Sequence, residues 1–246
     1  IIELEKYGIR VNVGLLKKDS EWLNRGYIKW VTINRPWVIA KVAESEDSFL
    51  GLDSNSRTNI TGYEAKIHSH QLRSDVDAII VGRQTALVDN PHLTVRHVKG
   101  KNPIRIILDT HRKLPLTLNI FNDNAAKTIV LCSNVNFDKS STSFAKFIPV
   151  DKDENGRLSI YNILDILAKE GICKVLIEGG AQLLNSFNEK NLIDEIYIYT
   201  SNNKLKNANL KNPLTINDSW DIEQKIELGD DKLVIATRKE ECLQES

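Results

Sequence analysis

The chain has 246 residues, 41% of them hydrophobic and 27% charged, enough to bury at least one full core and too apolar for a disordered segment. Its 33 Lys and Arg balance 33 Asp and Glu, so no global field draws it to nucleic acid or an anionic membrane, and an anionic ligand must be held by local clusters. The longest apolar runs are strand-sized, far short of the roughly 20 residues that cross a bilayer, and the opening IIELEKYGIR lacks the basic-then-apolar pattern of a secretory signal. The expected location is therefore cytoplasmic. Three widely spaced cysteines, Cys132, Cys173 and Cys242, make neither a disulfide framework nor a metal knuckle. With no methionine at all, the chain reads as a fragment of something longer.

Residues 9–16 (IRVNVGLL) alternate as a strand does, and residues 17–29 carry a helical pattern through Trp22, Leu23 and Tyr27. Asn34-Arg35-Pro36 then breaks the chain. From Trp37 onward strands and helices alternate. Residues 38–43 form a strand, Thr61-Gly62-Tyr63-Glu64 has the form of a capping box opening a helix to about Arg73, and residues 77–81 form the next strand. Further β-branched runs lie at 104–108, 128–132, 174–177, 195–199 and 232–237. Ile160, Ile163, Leu164 and Leu167 repeat at helical spacing and stop at Gly171, a C′ glycine. Gly229-Asp230-Asp231 is too tight for a helix and predicts a closing antiparallel hairpin. The fold class is α/β with a mixed, partly parallel sheet flanked by helices.

Three segments offer chemistry. In Val175-Leu-Ile-Glu178-Gly179-Gly180-Ala181 a buried strand runs into two glycines and an apolar-faced helix. Amides bared at such a helix start can seat a phosphate; a tight turn needing positive φ explains the same glycines. Residues 81–96 hold Thr85, Asp89 and Arg96 over a short loop turned by Asp89-Asn90-Pro91, which throws Asp89 and Arg96 onto one rim. Arg73 at the end of the preceding helix suits the helix dipole, and with Arg96 it can also make a bidentate clamp for a phosphate monoester. Asp109-Thr110-His111-Arg112 ends a strand in groups able to meet an adenosine ribose and its 2′-phosphate. The five histidines, His68, His70, His92, His97 and His111, show no metal-ligand spacing and read as surface or loop residues, so no metal is expected. Neither a nucleophile elbow nor a Walker loop is present.

The set Arg35-Pro36-Trp37-Val38, Lys41 with Ser45 and Asp47, Ile60-Thr61-Gly62, Leu72-Arg73, Val81-Gly82 with Thr85, Asp89-Asn90-Pro91, Leu93-Thr94 and Arg96, Leu108-Asp109-Thr110, Leu114-Pro115 and Ile177-Glu178-Gly179-Gly180 resembles the C-terminal reductase domain of RibD-type bifunctional riboflavin enzymes. The likeness is collinear from about Arg35 to the last strand. It implies a dihydrofolate-reductase-like fold, a homodimer, and NADPH-dependent reduction of the ribosyl C1 of 5-amino-6-(5-phosphoribosylamino)uracil to the ribityl product. It also implies that Ala43, Asn59, Thr85, Asp89, Thr110 and the turn of Gly179, Gly180, Ala181, Gln182, Leu183, Leu184, Asn185 and Ser186 contact NADPH. Substrate contacts fall on Arg57, Arg73, Leu93, Arg96 and Glu178. Lys41, Asp47 and Glu178 become the candidates for moving protons during ring opening. Residues 1–34 resemble the end of an upstream deaminase-type domain plus linker, 35–240 the reductase domain, and 241–246 a tail. The deaminase zinc motif, His-x-Glu with Pro-Cys-x-x-Cys, is absent, so no deamination is expected of this chain.

The chain also departs from that family. Ser45-Glu46-Asp47-Ser48-Phe49 stands where Ser-Leu-Asp-Gly-Lys is common, Asn59 where a Trp is common, and Arg57 where a small hydroxyl residue is common. Two other readings remain open at this level: a pterin-type reductase of the same fold, and a non-catalytic dimerisation domain. A paired Arg73 and Arg96 suits a phosphorylated substrate and has no use for a pterin.

Overall fold

Alternating and continuous apolar runs become a three-layer arrangement in the computed structural model, which describes residues 1–51, 59–137 and 145–239. The elements in order are α1 (Ile2–Lys6), α2 (Lys17–Leu23), α3 (Arg25–Ile33), β1 (Trp37–Glu44), β2 (Phe49–Gly51), α4 (Tyr63–Ser74), β3 (Ala78–Gly82), α5 (Arg83–Asp89), β4 (Ile104–Leu108), α6 (Asn119–Asn122), β5 (Thr128–Ser133), β6 (Lys146–Val150), α7 (Ile160–Lys169), β7 (Lys174–Ile177), α8 (Ala181–Asn188), β8 (Glu195–Thr200), β9 (Leu210–Lys211), β10 (Trp220–Leu228) and β11 (Asp231–Arg238). Nine strands form one sheet in the order β10-β11-β8-β1-β7-β3-β4-β5-β6, while β2 and β9 pair apart from it. From β8 to β6 every neighbour is parallel; β11 runs antiparallel to both β8 and β10.

Central strands covered on both faces must be apolar throughout, which is why Ala78 to Val81 and the whole of β5 are buried. Val38, Ala40, Ile80, Ile106 and Ile177 meet α7 and α8 through Ile163, Leu167, Leu184 and Phe187. Their strand neighbours Ile39, Ile79, Val81 and Ile107 face Ala65 and Leu72 of α4, Ala86 of α5 and Phe121 of α6. From β1 the chain passes through α4 to β3 and outward to β6, then returns through α7 to lay β7 between β1 and β3. Then α8 carries it to β8 on the far side of β1. The carboxyl ends of β1, β7 and β3 thus flank a topological switch point, where α/β sheets open a ligand crevice.

The expected closing hairpin is present: Leu228 pairs with Asp231 around Gly229, whose φ is +64°. Gly171 ends α7 as expected, with φ +76°, its amide on the Ala168 carbonyl and that of Ile172 on the Leu167 carbonyl. Three expectations need correction. Residues 9–16 form no strand; they connect α1 to α2 with Val13 and Leu15 73% and 84% exposed, because alternation without a face to bury against specifies nothing. The helix over 17–29 is two helices meeting at Asn24. The Thr61 capping box does not form: Gly62 is the N-cap of α4, and its amide donates to the Asp231 carboxylate at 2.6 Å. Strand β6 carries little strand signal in the sequence because it contains Pro149, a residue tolerated there since β6 is the sheet edge.

At the amino ends of the strands, α3 is pinned by buried charge. Glu195, wholly buried, accepts from Arg25 Nε at 3.0 Å, Trp37 Nε1 at 2.8 Å and the Tyr197 hydroxyl at 3.0 Å. Asp194 accepts from Lys29, Arg35 and the Val38 amide. Gly26 lies so close to β7 that an added Cβ would stand 2.5 Å from Lys174 Cγ and 2.9 Å from the Cys173 carbonyl. Removing one partner of a buried pair strands the other charge, so Arg25→Met is expected to lower unfolding free energy by about 3 kcal/mol in urea melts. A change under about 1 kcal/mol would mean that Trp37 and Tyr197 suffice to hold the carboxylate.

Candidate active site

Two adjoining cavities open at the carboxyl ends of the central strands, of about 370 and 410 Å³, sharing Thr85 and Gly180 as a common wall. The first is lined by Lys41 and Ala43 of β1, Arg73 of α4, Thr85 and Asp89 of α5, Leu93 and Arg96 of the following segment, and Glu178, Gly179, Gly180 and Leu184 of the β7–α8 turn. The second is lined by Arg83, Gln84 and Thr85, by Thr110 and His111 after β4, by Arg157, and by Gly180, Gln182, Leu183 and Ser186. Helices α5 and α8 start side by side here because β3 and β7 are neighbours and each leads directly into its helix through Gly82 or Gly180.

Neither glycine of the β7–α8 turn is left-handed; Gly180 has φ −68° and ψ 171°. The positive-φ explanation of this motif is therefore replaced by close approach. A Cβ on Gly179 would meet Leu183 Cδ2 at 2.6 Å and Leu183 Cβ at 3.1 Å. One on Gly180 would stand 3.8 Å from Thr85 Oγ1, at the wall between the cavities.

In the first cavity the dominant interaction is a fork. Arg73 donates from Nε and Nη2 to the two oxygens of Glu178 at 2.8 and 2.6 Å, and from Nη1 to the Thr94 carbonyl at 3.2 Å. Burial alone would push the Glu178 carboxyl up, but the charge and hydrogen bonds of Arg73, then Lys41 and His70, hold it below its ordinary value. Burial pulls the Arg73 guanidinium down, and Glu178 more than restores it. Glu178 thus stays anionic and Arg73 cationic. The expected two-arginine clamp is in this way modified: Arg73 spends its fork on Glu178, while Arg96 lines the same cavity with Nη1 3.3 Å from Thr94 Oγ1. Lys41 Nζ lies 5.3 Å from the centre of the Tyr199 ring.

Two histidines are not the surface residues that their spacing suggested. His70 is 3% exposed on α4, and its Nδ1 accepts the Arg96 amide at 3.1 Å. Burial first, then Arg73, His97 and Arg96, lower its pKa to about 4 against a counteracting Glu178. His68, half-buried, shares a 2.8 Å hydrogen bond with the Tyr199 hydroxyl, and burial lowers its pKa too. Their signal lies in the spacing of His70 to Arg73, three residues, which puts both on one helix face. Arg83, one of the two arginines of residues 81–96, lines the second cavity; Arg157 there was missed and carries no local signal, since only the return of the chain from β6 brings it there.

Some expected contacts stand apart. Asp47 lines neither cavity; the Ser45 hydroxyl donates to it at 2.7 Å and holds its carboxyl below the ordinary range. Asn59 and Ala181 line neither, and Asn185 reaches along α8 to Glu189 at 2.6 Å. Arg57 lies outside the described residues. Asp109 turns inward: Oδ2 accepts the Leu114 amide at 2.8 Å, and Oδ1 has no hydrogen-bond partner, Arg83 Nε being 3.8 Å away. Arg112 stacks over Phe147.

A family model described as the RibD C-terminal domain matches residues 36–202. The riboflavin biosynthesis protein RibD of Bacillus amyloliquefaciens is 35% identical over 201 residues, covering 81% of this chain and 54% of that protein. A 2,5-diamino-6-ribosylamino-4(3H)-pyrimidinone 5′-phosphate reductase of Archaeoglobus fulgidus is 33% identical over 175 residues, 67% of this chain and 80% of that one. The chain spans about half the length of the bacterial RibD relatives it matches. In fold it is similar to a deaminase/reductase of Thermotoga maritima, with TM-score 0.83, 24% identity and coverage of 96% of this chain and 66% of that one. The reductase Rib7 of Saccharomyces cerevisiae superposes with TM-score 0.68 at 19% identity, over 90% and 100% of the two chains.

Two outcomes test this geometry. Glu178→Gln is expected to lose about 3 kcal/mol of stability at pH 7 by stranding Arg73. Because the folded carboxyl titrates below its ordinary 4.5, its contribution is complete above that value and fades as pH falls through the folded one. The gap between variant and parent in urea melts should therefore narrow from pH 7 to pH 3; a constant gap would refute the charge assignment. Gly179→Ala should cost about 1–3 kcal/mol through the Leu183 clash, read from the same melts.

Proposed function

Since the chain belongs to the RibD C-terminal domain family, and its mixed sheet has the dihydrofolate-reductase-like fold of its structural neighbours, we propose that it is an NADPH-dependent oxidoreductase of riboflavin biosynthesis. It reduces the ribosyl C1 of 5-amino-6-(5-phosphoribosylamino)uracil to the ribityl product. The observation that carries this reading is the pair of cavities meeting at Thr85 and Gly180. One presents helix starts and two arginines; the other presents Arg96, Lys41 and an ionised Glu178. Two anionic molecules can then lie end to end across that wall.

The second cavity suits a dinucleotide phosphate. Amides of the first turns of α5 and α8 and the side chains of Thr85, Gln182 and Ser186 would bind the diphosphate, and Thr110, His111, Arg83 and Arg157 the adenosine end. Bound NADPH supplies the hydride. Ala43, Asp89 and Leu184 border the first cavity, beside the position a nicotinamide would need. Across from it Leu93, Arg96, Arg73 and Glu178 receive the substrate, with Arg96 on the phosphate.

Ring opening of the ribosylamine moves a proton from the exocyclic nitrogen to the ribose ring oxygen and leaves an imine at C1. Reduction then adds hydride to C1 and a proton to nitrogen. Glu178, kept ionised by Arg73, accepts from ribose hydroxyls and orients the sugar, while the Lys41 ammonium is the proton donor at hand. Asp47, engaged by Ser45, takes no step in this scheme. The archaeal relative is named for the diamino-pyrimidinone phosphate; both substrates share the ribosylamine and 5′-phosphate that these residues address. We further assign 1–34 to the end of a deaminase-type domain plus linker and 35–240 to the reductase, acting as a cytoplasmic homodimer without deaminase chemistry.

NADPH oxidation should be followed with the phosphorylated uracil substrate and with its dephosphorylated analogue. The phosphate is expected to raise kcat/KM by about tenfold or more, roughly 1.4 kcal/mol. Equal rates would remove the Arg96 assignment, and absence of saturable quenching of protein fluorescence by NADPH would leave a non-catalytic domain.

A further inference from the structure

Arg96 sits on an irregular segment that leaves α5 through two left-handed residues, Asn90 at φ 37° and Leu93 at φ 52°, so local backbone preference does not determine where it stands. Two bonds to one face of α4 do, together with the Asn102 Oδ1 that accepts the Val95 amide at 2.8 Å between them. Arg73 holds the Thr94 carbonyl at 3.2 Å, and one helical turn earlier His70 Nδ1 holds the Arg96 amide at 3.1 Å. A backbone amide can only donate, so Nδ1 carries its lone pair and the imidazole proton sits on Nε2. The ring is buried and stands edge-on to His97, their centres 4.6 Å apart, which fixes its orientation.

We propose that His70 is a positioning residue for substrate: by accepting the Arg96 amide it sets the guanidinium at the cavity rim, and so governs affinity for the phosphorylated end of the substrate. This rests on the reading of Arg96 as the phosphate ligand. The groups facing His70 are Arg73 on its own helix, Arg96 and His97 on the segment, and Glu178 at the end of β7. Three of these are cations or become so on protonation, and burial acts in the same direction, so the imidazole is kept neutral near pH 7 and available as an acceptor. A protonated ring would set a donor against a donor and free the Arg96 backbone, while Arg73 and Asn102 still hold Thr94 and Val95.

The test compares His70→Leu, His70→Asn and Arg96→Gln for substrate KM, NADPH KM and kcat, with thermal melts alongside. An Asn carbonyl occupies about the place of Nδ1 and accepts; Leu fills the space and does not. His70→Leu is expected to raise KM for the phosphorylated substrate about tenfold, with kcat and NADPH KM within about twofold, and His70→Asn to recover most of the loss. The dephosphorylated analogue should not distinguish the parent from either variant. If His70→Leu does not fold, His70→Gln replaces it, since its carbonyl falls nearer the Nε2 position and misses the amide. Equal impairment in the Leu and Asn variants, or a shift of NADPH KM together with substrate KM, overturns the proposal. If Arg96→Gln raises substrate KM and His70→Leu does not, the His70 role alone fails; if Arg96→Gln has no effect, the phosphate reading fails and His70 falls with it.

Discussion

The fork between Arg73 and Glu178 joins the end of the central strand β7 to the face of α4, and the cleft is organised around it. A carboxylate buried at a strand end is costly unless it is paired and hydrogen-bonded. Arg73 meets that cost from a helix on one side of the sheet, and a third donor of its guanidinium fixes the Thr94 carbonyl. One guanidinium thus ties a strand, a helix and an irregular segment into one frame. Lys41, Arg96 and Leu93 acquire their places around that frame.

The opposite end of the sheet follows the same logic with a different outcome. Glu195 and Asp194 are also buried carboxylates at strand ends, but their oxygens are engaged by Arg25, Lys29, Arg35, Trp37, Tyr197 and the Val38 amide. Those pairs fasten α3 to the amino ends of the strands. At the carboxyl ends the glycines of the β7–α8 turn clear a space that no side chain of the described residues occupies. Charge burial serves attachment at one end of the sheet and ligand chemistry at the other, and the difference is whether a helix caps the strand ends or starts from them.

Much of the fold was legible because buried central strands leave long β-branched runs, as in Ile104–Leu108 and Lys174–Ile177, and because Gly171 and Gly229 mark their turns through positive φ. The failures share a cause. Alternation over 9–16, the Thr61 capping box and the surface reading of His70 all treat local pattern as sufficient, whereas tertiary contact decided each: among the described residues 9–16 pairs with no strand, Gly62 is held by Asp231, and His70 by Arg96. The candidate site was legible where it coincides with strand ends, at Glu178-Gly179-Gly180 and Thr85, and illegible at Arg157, which arrives from a segment some seventy residues away from Thr85 along the chain. The resemblance to RibD-type reductases supplied roles for Lys41, Ala43 and Leu93 that periodicity alone does not single out.

The placement of β7 bears on how such a chain is made. The strand at the middle of the sheet is the seventh to leave the ribosome, so until residue 177 has emerged β1 and β3 each carry a bare hydrogen-bonding edge facing the gap it will fill. Pairings of this separation form late and slowly. The nascent chain must shelter those edges from other chains meanwhile, and a truncation before Lys174 would leave β1 without a sheet neighbour and β3 to β6 as a four-stranded sheet with a bare edge, in place of a smaller stable domain.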